Sequence, residues 1–243
     1  MSLPKTLIVA LAGALALSAC NRADAGFDKK VHDYLVAHPE VIQEAMTALQ
    51  KKQDAQAAVQ AKLAIAQNRK AIERDPRDYV ANPNGKITVT EFYDYRCPHC
   101  ANIAPAVLSI IHDNPDVRVV FKEFPIFGGA SNKAAMAAIA VKQSGGDYLG
   151  LYHDFMTAKP LDDAAIQRLA LAHGVDPAKL AQAAQSADVA QELLTVRKLA
   201  TDLNVDGTPA FIIGDTVVSG EDLAGIKAAI AMVRNGKSAT PTN

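Results

Sequence analysis

The sequence predicts an α/β fold in which a block of helices interrupts a small sheet domain. Three observations lead to this prediction. A strand–helix–strand pattern covers residues 87–124, with apolar strand-like runs on either side of a helical period. A helical stretch follows over about residues 130–203 and holds no strand candidate. Two short β-type runs around Gly214-Asp215 then form a hairpin pattern, and residues 221–234 return to helix.

Composition is that of a globular protein with no preference for nucleic acid. Hydrophobic residues make up 49% of the 243 residues, enough to bury a core in one or two domains. The formal net charge is −1, so the charge balance gives no indication of phosphate binding. We expect no nucleic-acid partner.

The N-terminus has the layout of an export signal. Lys5 precedes an apolar run over residues 7–19, which has signal-peptide length and is too short to span a bilayer comfortably. The run ends in Leu17-Ser18-Ala19-Cys20, a sequence similar to a bacterial lipoprotein cleavage box. Residues 1–19 are therefore predicted to be a lipoprotein-type signal peptide.

Cleavage at that box would make Cys20 the acylated first residue of the mature chain. Residues 20–26 would then tether the protein to a membrane through its lipid. The alternative is cleavage after Ala23-Asp24-Ala25 and release of a soluble protein. Both routes lead to the periplasm, where disulfide bonds persist.

Residues 27–78 differ in character from the rest of the chain. They predict a short helix over residues 27–36 and a longer helix opened by Pro39, because proline suits the first helical position. Along the longer helix, apolar residues follow an a/d heptad pattern that Lys52 and Gln56 interrupt. The apolar positions are Ile42, Ala45, Leu49, Val59, Leu63 and Ala66.

Two arrangements of this helix are open. Its apolar seam can pack on the same helix of another subunit, which would make residues 27–78 an oligomerisation stalk. It can also fold back onto its own domain, because the seam is rich in alanine and twice interrupted. The first arrangement is favoured, and Arg74-Asp75-Pro76-Arg77-Asp78 would then be a charged connector.

Cys97-Pro98-His99-Cys100 directly follows the predicted strand at residues 87–95. Cysteines three residues apart on a helical turn have Cβ atoms about 5–6 Å apart, which allows a disulfide to close. Pro98 suits a helix start, since its missing N–H would have no intrahelical partner. The motif predicts a redox-active disulfide, with Cys97 as an exposed attacking sulfur and Cys100 as the resolving one.

The surroundings of Cys97 favour its thiolate, which is the reacting form of cysteine. The free N–H groups and dipole of a helix start attract an anion, and His99 can add positive charge beside the sulfur. A structural zinc site would need two further ligands, and the chain's third cysteine is Cys20. We therefore expect neither a metal nor a cofactor.

The helical stretch over residues 130–203 is divided by helix-breaking residues. The breaks fall at Gly145-Gly146, Pro160, Gly174 and Ser186. The pieces between them show helical spacing, so we expect an inserted helical domain in which Tyr148, Tyr152, Phe155 and Met156 are core residues.

With these motifs the chain resembles the thioredoxin superfamily, and within it the exported DsbA-like branch, which inserts a helical domain between the two halves of the fold. The resemblance is carried by the run Glu91-Phe92-Tyr93-Asp94-Tyr95-Arg96-Cys97-Pro98-His99-Cys100, by Phe121-Lys122-Glu123-Phe124-Pro125 and by Gly207-Thr208-Pro209-Ala210-Phe211. It implies a thioredoxin-like domain over residues 86–235, with the insertion at about 130–203 and a flexible tail over 236–243. The N-terminal helices further resemble the ScsC-like members, some of which oligomerise through such an extension.

The resemblance also assigns roles to residues outside the dithiol. It implies that Thr208-Pro209 is a cis peptide bond facing Cys97, with backbone free to pair with an extended substrate peptide. It places Glu91 where the superfamily has a buried acid behind the resolving cysteine; burial would raise its pKa and allow proton exchange with Cys100. A solvated edge carboxylate is the alternative for Glu91. Lys122 either pairs with Glu91 or points to water.

The predicted function is thiol:disulfide interchange on exported, cysteine-containing client proteins, supported by a membrane redox partner. Several sites on one stalk favour a disulfide isomerase or reductase, and a DsbA-like dithiol oxidase is the alternative. An alternative of another class is an exported copper-binding or chaperone module in which Cys97, His99 and Cys100 hold Cu(I).

Overall fold

The computed structural model of the chain describes residues 26–236. The predicted signal peptide, the lipidation candidate Cys20 and the tail beyond residue 236 lie outside the described residues. The chain divides into two compact units between Ala57 and Ala58. Within residues 26–236, none of the helices combines the length and the hydropathy that crossing a bilayer requires.

The helices and strands follow the predicted order. The helices are α1 (residues 26–37), α2 (Glu40–Glu73), α3 (Pro98–Asp113), α4 (Gly129–Gln143), α5 (Tyr148–Thr157), α6 (Asp163–Ala172), α7 (Pro177–Gln185), α8 (Ala187–Asp202) and α9 (Leu223–Arg234). The strands are β1 (Tyr79–Ala81), β2 (Ile87–Tyr93), β3 (Val117–Glu123), β4 (Ala210–Ile213) and β5 (Thr216–Ser219).

The strands form one mixed sheet in the order β1-β3-β2-β4-β5. Strands β2 and β3 are parallel, and the other neighbouring pairs are antiparallel. The predicted α/β fold, with helices inserted between β3 and the β4–β5 hairpin, is confirmed. Strand β1 was not predicted, because three residues at a sheet edge are too few to show an alternating pattern.

The sheet has an apolar layer on each face. Every residue of β2 is buried, as expected for a central strand covered on both sides. One face packs against α3, α5 and α9 through a cluster that includes Val89, Tyr93 and Phe211. The opposite face packs Phe92 against α8 and the end of α2. Alternate residues of β2 therefore face different helices.

The last turns of α2 belong to the second of these layers. Ile65 and Ile72 are 0% and 1% exposed and lie in the cluster around Phe92. Leu63, a residue of the predicted seam, remains 51% exposed. For this end of the helix, the structure shows the alternative in which the helix folds back onto its own domain. The contact uses isoleucines seven residues apart that the predicted seam did not include.

Side chains of the sheet cap the carbonyl end of α2. The last carbonyls of a helix have no intrahelical partner. Three donors reach them: Lys122 Nζ to Ala71 O at 2.6 Å, Thr90 Oγ1 to Ile72 O at 3.2 Å and Arg118 Nη1 to Glu73 O at 2.6 Å. The helix end is thus hydrogen-bonded directly to β2 and β3.

The unit that ends at Ala57 exposes many large apolar side chains. The residues at least 40% exposed within residues 26–57 are Phe27, Val31, Tyr34, Val36, Ile42, Met46 and Leu49. A chain of this composition normally buries such side chains, so a continuous set of them marks a surface suited to a partner.

Candidate active site

The turn from β2 into α3 delivers Cys97 to the helix N-terminus, as predicted. Cys97 is the N-cap residue in an extended conformation, and Pro98 occupies the first helical position. The Cys97 N–H donates to the carbonyl of Asp94 at 3.0 Å, which closes the turn. Cys100 follows one helical turn later on the buried side of α3.

Both sulfurs are thiols in this structure, and both side chains are buried. Cys97 is 1% exposed and Cys100 is 0% exposed. The prediction that Cys97 is exposed was wrong, because the loop before β4 covers it: the Cys97 thiol donates to the carbonyl of Thr208 at 3.2 Å. Cys97 also lines a cleft that opens beside the start of α3.

The loop that faces Cys97 contains Thr208 and Pro209, joined by a cis peptide bond. This is the geometry that the resemblance implied. The hydroxyl of Thr208 is buried and has no hydrogen-bond partner among residues 26–236. The chain continues into β4, which pairs with β2 and thereby holds the loop against the start of α3.

Glu91 lies in the sheet below the dithiol and is fully buried. The alternative of a solvated edge carboxylate is therefore wrong. Both of its carboxyl oxygens accept from the Tyr152 hydroxyl, at 3.2 and 3.3 Å. Burial raises the pKa of Glu91 to about 8; the hydrogen bond from Tyr152 opposes that rise and the charge of Glu123 adds to it.

Cys100 shares this environment. Burial raises the pKa of its thiol well above the ordinary value, and the negative charges of Glu91 and Cys97 raise it further. The Cys100 proton is therefore held tightly unless a neighbouring group accepts it. Glu91 is a buried carboxyl close enough to influence it electrostatically.

Lys122 does not take part in this site. In the β2–β3 register Glu91 stands opposite Phe121, so Lys122 points to the other face of the sheet. There its ammonium pairs with Asp78 at 2.6 Å, with both side chains almost fully buried. Neither of the two environments predicted for Lys122 is correct, because the charged connector supplies its partner.

A second buried acid, not recognised from the sequence, lies beside Glu91. Glu123 ends β3 and accepts hydrogen bonds from three tyrosine hydroxyls: Tyr93 at 2.6 Å, Tyr148 at 2.7 Å and Tyr95 at 3.0 Å. Tyr148 and Tyr152 were predicted only to be core residues. The hydroxyl that distinguishes Tyr from Phe was the available signal, since buried tyrosine hydroxyls usually have a partner.

His99 is held by a residue far away in the sequence. Its Nδ1 lies 2.5 Å from Glu221 Oε1, and Asn102 Nδ2 donates to the same oxygen at 3.2 Å. These hydrogen bonds lower the pKa of Glu221, that from His99 most strongly. Glu221 precedes α9, so only the tertiary fold brings it to the active-site helix.

A cleft of about 760 Å³ opens beside the dithiol. Its wall combines the start of α3 with the end of α5 and the loop after it, including Arg96, Pro98, Met156, Pro160 and Leu161. Asp94 connects this region to the loop after β3, since its carboxylate accepts from the N–H groups of Arg96, Ile126 and Phe127. The cleft has a mixed lining, in which Arg96, Lys159 and Asp162 stand beside apolar residues, and it is large enough for a peptide side chain.

Among residues 26–236, no three His, Cys, Asp or Glu side chains are grouped so that they could hold a metal ion. What the site does contain is a cysteine at a helix start, a second cysteine one turn later, a proline loop on the first sulfur and a buried acid behind the second. These features define the thioredoxin type of thiol–disulfide oxidoreductase.

Comparison with known proteins identifies the family. Residues 88–231 match the DSBA-like thioredoxin domain, and residues 25–56 match the N-terminal domain of the copper resistance protein ScsC. The chain belongs to the DsbA-like thioredoxin family of thiol:disulfide oxidoreductases, and it has ScsC-like features at its N-terminus.

Individual relatives agree with this assignment. The thiol:disulfide interchange protein DsbA of Bordetella parapertussis is 34% identical over 152 residues, which cover 58% of this chain and 72% of that protein. Salmonella enterica Typhimurium BcfH superposes with a TM-score of 0.71 at 27% identity, covering 91% of this chain and 98% of that one. Proteus mirabilis ScsC in a transitional conformation gives a TM-score of 0.62 at 29% identity, covering 89% and 96%.

Proposed function

We propose that this chain carries out thiol–disulfide exchange on exported client proteins through Cys97 and Cys100. The observation that carries the proposal is the placement of both thiols in the first turn of α3, with the carboxyl of Glu91 buried behind Cys100. The helix N-terminus presents its free N–H groups on the side of Cys97, and the buried acid supplies a proton acceptor behind Cys100.

In the reducing direction, the Cys97 thiolate attacks one sulfur of a client disulfide. The client S–S bond breaks, a mixed disulfide forms at Cys97, and the other client sulfur leaves as a thiolate. Cys100 then transfers its proton to Glu91 and attacks Cys97 Sγ. This second exchange releases the client dithiol and leaves the Cys97–Cys100 disulfide.

In the oxidising direction, the same steps run backwards. A client thiolate attacks Cys97 Sγ of the disulfide, and Cys100 leaves with a proton from Glu91. A second client thiolate then attacks the client sulfur of the mixed disulfide, and Cys97 leaves as the thiolate. No cofactor takes part in either direction.

The loop before β4 is proposed to bind the client backbone. Pro209 has no N–H to donate, and its carbonyl accepts from Gly220 N at 2.8 Å; the Thr208 carbonyl lies 3.2 Å from Cys97 Sγ. An extended client peptide can pair with this backbone and bring its sulfur to Cys97 from the cleft.

The mechanism is tested by reduction of an insulin-like disulfide substrate. Cys97→Ala is expected to abolish turnover, and Cys100→Ala is expected to accumulate a mixed disulfide visible by mass spectrometry. Turnover by Cys97→Ala would overturn the mechanism. Tight Cu(I) binding by the wild type without turnover would instead favour the copper-binding alternative, for which the ScsC match at residues 25–56 is the supporting observation.

For the direction of exchange, we infer an isomerase or reductase kept reduced by a membrane electron donor. The exposed apolar residues of the first unit support assembly into an oligomer with several dithiols. The similarity to DsbA supports the oxidase alternative. Titration of the Cys97–Cys100 couple against glutathione decides between them, since a strongly oxidising potential would favour the oxidase.

A periplasmic location with a lipid anchor at Cys20 completes the proposal. The leader pattern and the DsbA relatives support export, and the Leu17-Ser18-Ala19-Cys20 box supports lipidation. The mass of the chain purified from membranes should exceed the mature polypeptide mass by the attached acyl groups. An unmodified mass with an N-terminus at residue 26 would show the soluble alternative.

A further inference from the structure

The tyrosine cage around Glu123 surrounds an acid with hydroxyls, and within residues 26–236 no lysine, arginine or histidine forms an ion pair with it. Glu123 is 6% exposed, and one of its oxygens accepts all three tyrosine hydrogen bonds. The Tyr93 hydroxyl also lies 2.6 Å from that of Tyr148 and 3.0 Å from that of Tyr95. Because each hydroxyl has one proton, these contacts are not hydrogen bonds when all three tyrosines donate to Glu123. A core that needed only apolar packing would place phenylalanine at these positions.

Burial and the tyrosine cage have opposite effects on the pKa of Glu123, and together they place it close to neutral pH. Burial raises the pKa of Glu123 to about 7, against the hydrogen bonds from Tyr93, Tyr148 and Tyr95 and the more remote charge of Lys142. Lys142 is itself paired with Glu192 at 2.7 Å, so it does not form an ion pair with Glu123. Small changes around this carboxyl can therefore change its charge.

Glu91 and Glu123 lie on the same face of neighbouring strands. Glu91 is opposite Phe121 and Tyr93 is opposite Glu123, so the two acids are one strand and two residues apart. Strand spacing then places their Cβ atoms about 8 Å apart. Tyr152, which donates to Glu91, packs edge-on against Tyr93 with ring centroids 5.3 Å apart. The charge of Glu123 contributes to the raised pKa of Glu91 across this distance.

We propose that Glu123 is a positioning residue for the exchange reaction, which acts through Glu91 on proton transfer at Cys100. Two carboxylates this close in a dry interior do not both ionise readily, so a charge on Glu123 keeps the proton on Glu91. At neutral pH Glu91 then carries its proton more of the time, so it is available to protonate a departing Cys100 thiolate and is less often free to accept the proton of the Cys100 thiol. This inference rests on the proposed role of Glu91.

Several titratable groups face the two acids from the surrounding elements. They are Cys97 and Cys100 from α3 and its cap, Tyr93 and Tyr95 from β2 and its turn, Tyr148 and Tyr152 from α5, and Lys142 from α4. The tyrosines ionise only at high pH, because burial raises their pKa well above the ordinary value. The pKa values of Glu91 and Glu123, raised to about 8 and about 7, place the ionisation of the two carboxyls between pH 5 and about 9.

The test isolates the Cys100 step with an aromatic disulfide, 5,5′-dithiobis(2-nitrobenzoate). Cys97 attacks this probe and releases one coloured thiolate, and Cys100 then attacks the mixed disulfide and releases the second. The rate of the second release is measured against pH. In the wild type it should rise with the ionisation of Glu91.

Two substitutions should move this profile in opposite directions. Glu123→Gln removes the neighbouring charge, so Glu91 ionises at lower pH and the profile moves down by about half to one pH unit. Tyr152→Phe removes a hydrogen bond that favours the Glu91 anion, so the profile moves up. A packing defect would not produce opposite shifts.

Controls separate this inference from the proposed function. Glu91→Gln should remove the rise altogether; if the rise persists, the proposed role of Glu91 fails. A second outcome concerns Glu123 alone. If Glu91→Gln removes the increase of rate with pH, but in Glu123→Gln the increase occurs at the wild-type pH or at higher pH, the role of Glu123 is overturned. Should Glu123→Gln not fold, Tyr148→Phe provides the test. Loss of one hydrogen-bond donor makes Glu123 neutral over a wider pH range, so the rate of the second release should increase at lower pH than in the wild type. A pH dependence identical to that of the wild type would overturn the inference.

Discussion

At the scale of single residues, the site depends on two polar groups that the fold buries and one that it leaves at the surface. Glu91 and Glu123 lie in the apolar layer under α3 and α5, where burial opposes their ionisation. His99 stands 68% exposed beside Glu221 at the rim. The proposed control of the Cys100 proton belongs to the two buried acids, whereas His99 and Glu221 lie on the solvent side of α3.

The buried carboxyl of Glu91 predicts a specific pH dependence of stability. Its pKa is raised in the folded state to about 8, so the folded chain binds this proton more tightly than the unfolded chain. Its stabilising contribution is complete below the unfolded pKa of about 4.3 and is lost as pH rises through the folded value. Between pH 5 and about 8.5, we expect the free energy of unfolding to fall by on the order of 3 kcal/mol more in the wild type than in Glu91→Gln.

Denaturant unfolding of both proteins at several pH values measures this difference. The matched control is Asp113→Asn, an exposed acid on α3 whose replacement should leave the pH dependence above pH 5 unchanged, because its pKa is lowered rather than raised. Parallel curves for the wild type and Glu91→Gln would contradict the prediction.

At the scale of elements, the contact between the C-terminal end of α2 and the sheet was not predicted from sequence patterns. The end of α2 is capped by Lys122, Thr90 and Arg118, which come from strands later in the chain. Arg69 adds a contact from the preceding turn to the carbonyl of Gly214 at 2.8 Å. The amphipathic pattern of α2 favoured packing on another subunit, but the C-terminal end of this helix is held by hydrogen bonds to its own domain.

The buried ion pair of this join should be sensitive to loss of one charge. Asp78→Asn leaves the Lys122 ammonium buried without a carboxylate, and we expect a loss of about 3–5 kcal/mol in the free energy of unfolding. The double variant Asp78→Asn with Lys122→Met removes both charges and should recover part of that loss. Chemical denaturation of the three proteins measures both effects, and a double variant no more stable than the single one would contradict this explanation.

At the scale of the whole molecule, the dithiol lies in one of the two units and the exposed apolar helix surface lies in the other. The unit beginning at Ala58 contains the sheet, the helical insertion and the dithiol. Residues 26–57 contribute helix with apolar side chains that stay exposed. We therefore keep the proposal of assembly through the N-terminal helices, limited to the part before residue 58.

Assembly through this region is tested with charged substitutions on the exposed apolar residues. Ile42→Asp combined with Leu49→Asp should shift sedimentation to a smaller species, since an aspartate in an apolar interface is left without a partner. Gln43→Asp is the matched control at a neighbouring polar position and should leave the assembly unchanged. A wild-type chain that sediments as a monomer, or an Ile42→Asp/Leu49→Asp variant with unchanged size, would contradict the proposal.

The sequence by itself determined the parts of this protein that depend on neighbours along the chain. Cys97, Pro98 and Cys100 lie within one helical turn, and the β2–α3–β3 order follows from local periodicity. The fold class, the family and the position of the dithiol could all be predicted for that reason.

Only the tertiary structure decided which side chains meet around the dithiol. Lys122 pairs with Asp78 instead of Glu91 because the β2–β3 register turns it to the opposite face. Tyr148 and Tyr152 reach the acids from the helical insertion, and Glu221 reaches His99 across 122 positions of sequence. Burial and pairing depend on contacts between distant segments, and local periodicity contains no information about which segments those are.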